Sequence, residues 1–196
     1  MSEPTRHIVN IQALPETFPT HMHESAFWDS LGRAVATFGF LEEVLAKAIF
    51  SFTATKPYSE EQAKKAFEKW LPQLQIALSG QLSNLIESYS KAVREHPNAT
   101  IENLDDLISD LKESAKVRNV ICHGSWRSPD SQGASIPFFV NRQQELFDTA
   151  IDVAWLAQLQ NHVSELICAV VNTVTHMGWQ FPGGAGPGKV IWESHK

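Results

Sequence analysis

Cysteine is nearly missing from this chain: Cys122 and Cys168 are the only two among 196 residues, and both stand within apolar runs. A pair so placed argues against a disulfide framework and reads as two small buried hydrophobes in a reducing compartment. No Cys/His cluster has the spacing of a zinc site. No apolar run approaches the roughly 18–20 residues needed to span a bilayer. The opening MSEPTRHIVN also lacks the apolar segment of a signal peptide. The expected location is therefore the cytoplasm, with no membrane partner. Positive charge is short as well: 16 Lys and Arg against 22 Asp and Glu leave a formal net charge of −6. That balance disfavours a general nucleic-acid binder, which depends on many phosphate contacts. It leaves room for a small local basic site.

What is present is a chain of ordinary globular composition, long enough for one sizeable domain. Residues 1–24 carry Pro4, Pro15 and Pro19 and read as an extended arm laid on the surface. Residues 25–176 carry helical periodicity. Residues 177–196 are too rich in Gly and Pro to be regular. In the first helix, Leu31, Val35, Phe38, Leu45, Ile49 and Phe52 share one stripe. Ser59 is placed to cap a second helix, with Ala63, Phe67, Trp70 and Leu71 as its face. A third covers roughly Gln81 to Glu95, with Leu82, Leu85, Ile86 and Tyr89 inward. A fourth, capped by Asn98 or Thr100, runs through Cys122, with Leu104, Leu107, Ile108, Leu111 and Ala115 inward. Ser125 to Asn141 then reads as a small hairpin or ordered loop built from the β-prone pieces Ser125–Arg127 and Ile136–Val140. A last helix from about Ile151 to His176 turns Leu156, Leu159, Val163, Leu166, Ile167, Val170 and Val174 inward. The expected fold is all-α: an antiparallel bundle of four or five helices with a short hairpin-like insertion and an irregular C-terminal tail.

The densest chemistry lies where the fourth helix ends, at Arg118-Asn119-Val120-Ile121-Cys122-His123-Gly124-Ser125-Trp126. Arginine is a permanent cation whose donor fork suits phosphate, and histidine exchanges a proton near neutral pH. Arg118 lies seven residues after Leu111 and so continues the inner stripe, while Asn119 and His123, four apart, share a face. Arg118 and His123 are about 140° apart around a regular helix, so they converge on one substrate only if the helix stops there. Gly124 supplies a left-handed stop. In the first helix the seam between Phe38 and Leu45 is interrupted by Glu42. A buried carboxylate needs a partner, and Arg118 is the natural one, with Glu43 as an exposed neighbour.

Arg118-Asn119-x-x-x-His123, late in a helical bundle, resembles the Arg-x(4–6)-His motif of the HEPN superfamily. The stretches His-Gly-Ser-Trp and Leu31-Gly32-Arg33…Phe38-Gly39-Phe40-Leu41-Glu42 are similar to a bacterial branch of uncharacterised HEPN-like proteins, and the resemblance spans residues 25–176. It implies a metal-independent endoribonuclease, without cofactor, that leaves a 2′,3′-cyclic phosphate and a 5′-hydroxyl. The setting it implies is a toxin–antitoxin or phage-defence system. His123 would be general base or acid, Arg118 would stabilise the phosphorane-like transition state, Asn119 would orient His123 or touch phosphate, and Glu42 would position Arg118. Ser125 and Trp126 would meet substrate. Two motifs facing across a homodimer would supply the second proton carrier. The family also holds non-catalytic members, so a helical dimerisation or binding module stays open, with Arg118 and His123 merely securing the helix end. An open site around His123 favours the enzyme. A buried His123 capping carbonyls favours the module.

Other motifs carry less. Gly183 to Lys189 matches part of a phosphate-binding loop, but Val190 stands where Ser or Thr is needed and too few residues follow for a helix. His21, His23 and Glu24 lack the further ligands of a metal site. His162 and Glu165 read as surface polarity.

Overall fold

A computed structural model describes residues 8–57 and 82–191. The expected second helix, from Ser59 onward, lies outside the described residues. Among the described residues four α-helices form a bundle: α1 (Ser25–Ala54), α2 (Leu82–Arg94), α3 (Leu104–His123) and α4 (Val153–His176). No helix among the described residues is long and apolar enough to cross a membrane. Of the arm, residues 8–22 lie exposed, with one short 3-10 turn at Ile11–Ala13.

The helices exist because their apolar residues recur at three and four, and the core is where those stripes meet. On α4 every expected inward residue is buried, from Leu156 to Val174. On α2, Leu82, Leu85, Ile86 and Tyr89 are all buried. α1 is the central element and packs chiefly on α4 and α2. Ion pairs give the directions. Lys112 to Glu87 (2.7 Å), together with Arg94 to Asp105, runs α3 antiparallel to α2. Lys56 to Glu95 (3.1 Å) brings the ends of α1 and α2 together. The buried Tyr89 hydroxyl meets Thr173 at 2.8 Å, joining α2 to α4. Thr173 gives its own hydrogen to the Val170 carbonyl, so Tyr89 is the donor, and burial pushes its phenol up to about 12.

Several boundaries and phases differ from the sequence expectation. The α1 seam runs through Ala34 and Leu41, at 1% and 0% exposure, whereas Val35 is 37% exposed. Glu42 therefore flanks the seam and does not interrupt it, which lets its carboxylate keep part of its hydration. α3 starts at Leu104, after a left-handed Asn103 with no side-chain cap, so neither Asn98 nor Thr100 caps it. α4 starts two residues after Ile151, because Ile151 pairs with Ser135 and Asp152 caps through Trp155 N at 2.7 Å. Both cysteines are exposed: each follows a buried isoleucine, and one helical step carries it out of the core. The insertion is held by isolated antiparallel bridges, Ser125 to Phe138, Ser135 to Ile151 and Val140 to Leu146. Asp130 and Asn141 each fold a turn by accepting two backbone N–H groups on Oδ1.

His96, 4% exposed, closes the top of the bundle. Its Nδ1 accepts from Asn98 N at 3.3 Å, so its proton sits on Nε2, facing Thr55 Oγ1 at 3.4 Å. Thr55 spends its own hydrogen on the Ser51 carbonyl, which completes the chain. Burial lowers the His96 pKa, the Thr55 contact opposes that shift, and Lys56 adds to it. Burial lowers the pKa of His23 as well. With both folded values below the unfolded one, this stability is present above about pH 6.5 and is lost as pH falls through the depressed folded values. Melting temperature is thus expected to drop between pH 7.5 and 5.5, less steeply in a His96→Gln variant. Equal slopes for parent and variant would refute the assignment to His96.

Candidate functional site

The C-terminal half of α3 meets the middle of α1 through the contact of Arg118 with Glu42. Arg118 Nη2 stands 3.5 Å from Glu42 Oε1, with side chains 26% and 29% exposed. The half-buried pair holds the guanidinium at the edge of the core with part of its donor fork open to solvent. Glu43 is turned outward to Lys47 at 2.6 Å. Arg118 Nη1 also donates to Asn119 Oδ1 at 3.5 Å. Asn119 thus leans toward the arginine, and no hydrogen bond joins it to His123 among the described residues. His123 is exposed at the last position of α3 and caps no carbonyl; among the described residues its ring has no hydrogen-bond or ion-pair partner. Both residues lie within the helix, about 140° apart around its axis, with the exposed imidazole at its last position and the tethered guanidinium five residues earlier.

Gly124 ends the helix for a different reason from the one expected. Its backbone is extended, φ −68 and ψ 141, not left-handed. A Cβ there would lie 2.6 Å from the Val120 carbonyl oxygen and 2.8 Å from Pro137 Cβ. The residue is glycine because the chain passes straight from α3 into the bridge with Phe138 and grazes Pro137 on the way. His123 is thereby set at the junction of helix and insertion.

Cys122, beside His123, is not activated. Partial burial raises its pKa above the ordinary thiol value; the Arg118 cation pulls it down and the Glu42 carboxylate pushes it up. Trp126 is half-buried. Its ring meets Phe27 edge-on at 4.9 Å and lies 6.2 Å from His23 and 6.5 Å from Trp28. His23 stacks on Phe27 at 4.3 Å, and Trp28 Nε1 donates to the Thr20 carbonyl at 2.8 Å. Trp126 therefore anchors the segment after the motif to the start of α1 and the end of the arm, a role sufficient to explain it without substrate. Ser125 is exposed, and its backbone makes the bridge.

Two residues near the site were not singled out from sequence. The Arg127 guanidinium carbon lies 5.0 Å from the centre of the Phe138 ring, and both residues are exposed. The available signal was the period of two in Ser125–Arg127 and Ile136–Val140, which assigns each residue a face once the pairing is known. No group of three or more His, Cys, Asp or Glu among the described residues could hold a metal. The phosphate-loop-like tail folds back on itself, with Gln180 N donating to the Lys189 carbonyl and Lys189 N to the Gly178 carbonyl, both at 2.9 Å. Its amides are not presented by a helix. No protein-family model matches the chain, and comparison with curated proteins and with solved structures finds no significant match.

Proposed function

We propose that this chain is a metal-independent endoribonuclease of the HEPN type, working as a homodimer in a toxin or phage-defence setting. The observation that carries the reading is an exposed His123, without a hydrogen-bond or ion-pair partner among the described residues, at the end of the helix whose Arg118 is tethered by Glu42. In the proposed reaction His123 takes the proton of an RNA 2′-hydroxyl, and the 2′-oxygen attacks the adjacent phosphorus. Arg118 stabilises the additional negative charge that develops on the non-bridging oxygens. The bond from phosphorus to the 5′-oxygen then breaks, and the leaving oxygen receives a proton. One neutral histidine cannot serve as base and acid in the same step, so the equivalent histidine of a second copy is the acid. The products are a 2′,3′-cyclic phosphate and a 5′-hydroxyl.

The competing reading, a non-catalytic dimerisation module, is favoured by the net charge of −6. The deciding experiment is incubation of the purified chain with RNA in EDTA, followed by chemical identification of the ends. Cyclic phosphate ends that disappear in the His123→Ala protein support the enzyme. Undiminished cleavage by His123→Ala, or none by the parent, leaves the module.

A further inference from the structure

The insertion between α3 and α4 has two faces of opposite character. Ser125 N donates to the Phe138 carbonyl at 3.0 Å and Phe138 N to the Ser125 carbonyl at 2.8 Å, so the two residues are directly opposed and present their side chains on one face. The inner face follows by alternation: Pro137 is buried, while Phe139 and Trp126 are half-buried against the core. The outer face carries Ser125, Arg127, Ile136, Phe138 and Val140, all exposed, with Phe138 at 51%. It begins two residues beyond His123. Arg127 lies over the Phe138 ring and has no carboxylate partner among the described residues.

We propose that Arg127 and Phe138 form a stacking subsite for an unpaired base of the RNA, beside the phosphate that His123 would act on; this rests on the ribonuclease reading above. An exposed ring offers a π-face that any base can match, and the adjacent guanidinium offers a cation for the same strand's backbone or a second stacking plane. A single strand provides both complements at once. A self-contact through this face would bring two Arg127 cations into one apolar patch, and the five residues that make up the face include no carboxylate to offset them. Duplex RNA keeps its bases stacked inside the helix and cannot supply the ring contact. The subsite therefore selects single-stranded substrate with little base preference.

The test is fluorescence anisotropy of the full chain with a 2′-O-methyl oligoribonucleotide, which binds but cannot be cleaved. Phe138→Ala is expected to weaken binding about tenfold to a hundredfold, while Phe138→Trp restores it. Arg127→Ala is expected to reduce the slope of log affinity against log salt by about 0.7, the release from one single-strand phosphate contact. The matching duplex should compete poorly. Phe138 is exposed, so unchanged melting curves will confirm that the variants fold. If the parent cleaves RNA but all variants bind as it does, the subsite is overturned while the ribonuclease reading survives. If Phe138→Ala converts a parent dimer to monomers in sedimentation, the face belongs to a second copy and the proposal falls. A parent that neither binds nor cleaves RNA overturns both.

Discussion

Alanine at His123 or at Arg118 is expected to lower metal-free RNA cleavage about a hundred- to ten-thousand-fold, the range seen when a general acid–base group or a transition-state donor is removed. Both residues should matter because the proposed mechanism gives them different work. His123 is exposed at the last position of α3, whereas Arg118 is half-buried and held at 3.5 Å by Glu42. Arg118→Lys should recover little, since a point charge cannot face Glu42 and a phosphate together as a fork can. Glu42→Gln should cost less, up to about a hundredfold, through misplacement of the guanidinium by ~1 Å. Initial rates on a fluorescent RNA substrate in EDTA measure all four. Wild-type rates in Arg118→Ala would sink the proposed mechanism, and a Glu42→Gln loss larger than that of Arg118→Ala would sink the positioning role.

The second large effect is expected from one methyl group. Gly124→Ala would force a Cβ to 2.6 Å from the Val120 carbonyl oxygen and 2.8 Å from Pro137 Cβ. Neither neighbour is the loose end of a flexible side chain: one is helix backbone and the other a buried ring. Overpacking of this kind costs about 1–3 kcal/mol, and each kcal/mol lowers the melting temperature by about 2–4 °C in a chain of this size. Gly32→Ala is the control. It lies in α1 with nothing within 4 Å of its added Cβ, and alanine in a helix interior gains up to about 1 kcal/mol over glycine. Opposite shifts in scanning calorimetry are expected. A Gly124→Ala protein as stable as its parent would mean that the helix end does not pass so close to Pro137. Because Gly124 joins His123 to the bridge at Ser125, the same variant should also lower cleavage.

Much of the bundle was legible because helical burial is periodic, and periodicity is a local property. The α4 stripe is the clearest case, with each of its seven expected residues buried. The pairing of Glu42 with Arg118 was legible too, since a carboxylate near an apolar seam and an arginine on an inner stripe constrain each other. Phase was harder. A helical pattern defines a face to within a residue, so spacing puts Val35 in the place that Ala34 holds, and Glu42 in that of Leu41. The small alanine fits where α1 and its neighbours come close, and spacing alone does not reveal that distance. The cysteines were misplaced for the same reason.

By itself the sequence determined an all-α chain, the order of its described helices, and the placement of Arg118, Asn119 and His123 toward the end of one helix. Those features depend on spacing of three and four along a single helix. The tertiary structure alone decided that Gly124 answers to Pro137, that Trp126 is packed against Phe27, and that Arg127 lies over Phe138 on an exposed face. Each joins residues more than ten positions apart. Such contacts depend on where the insertion folds back, and no local period encodes that.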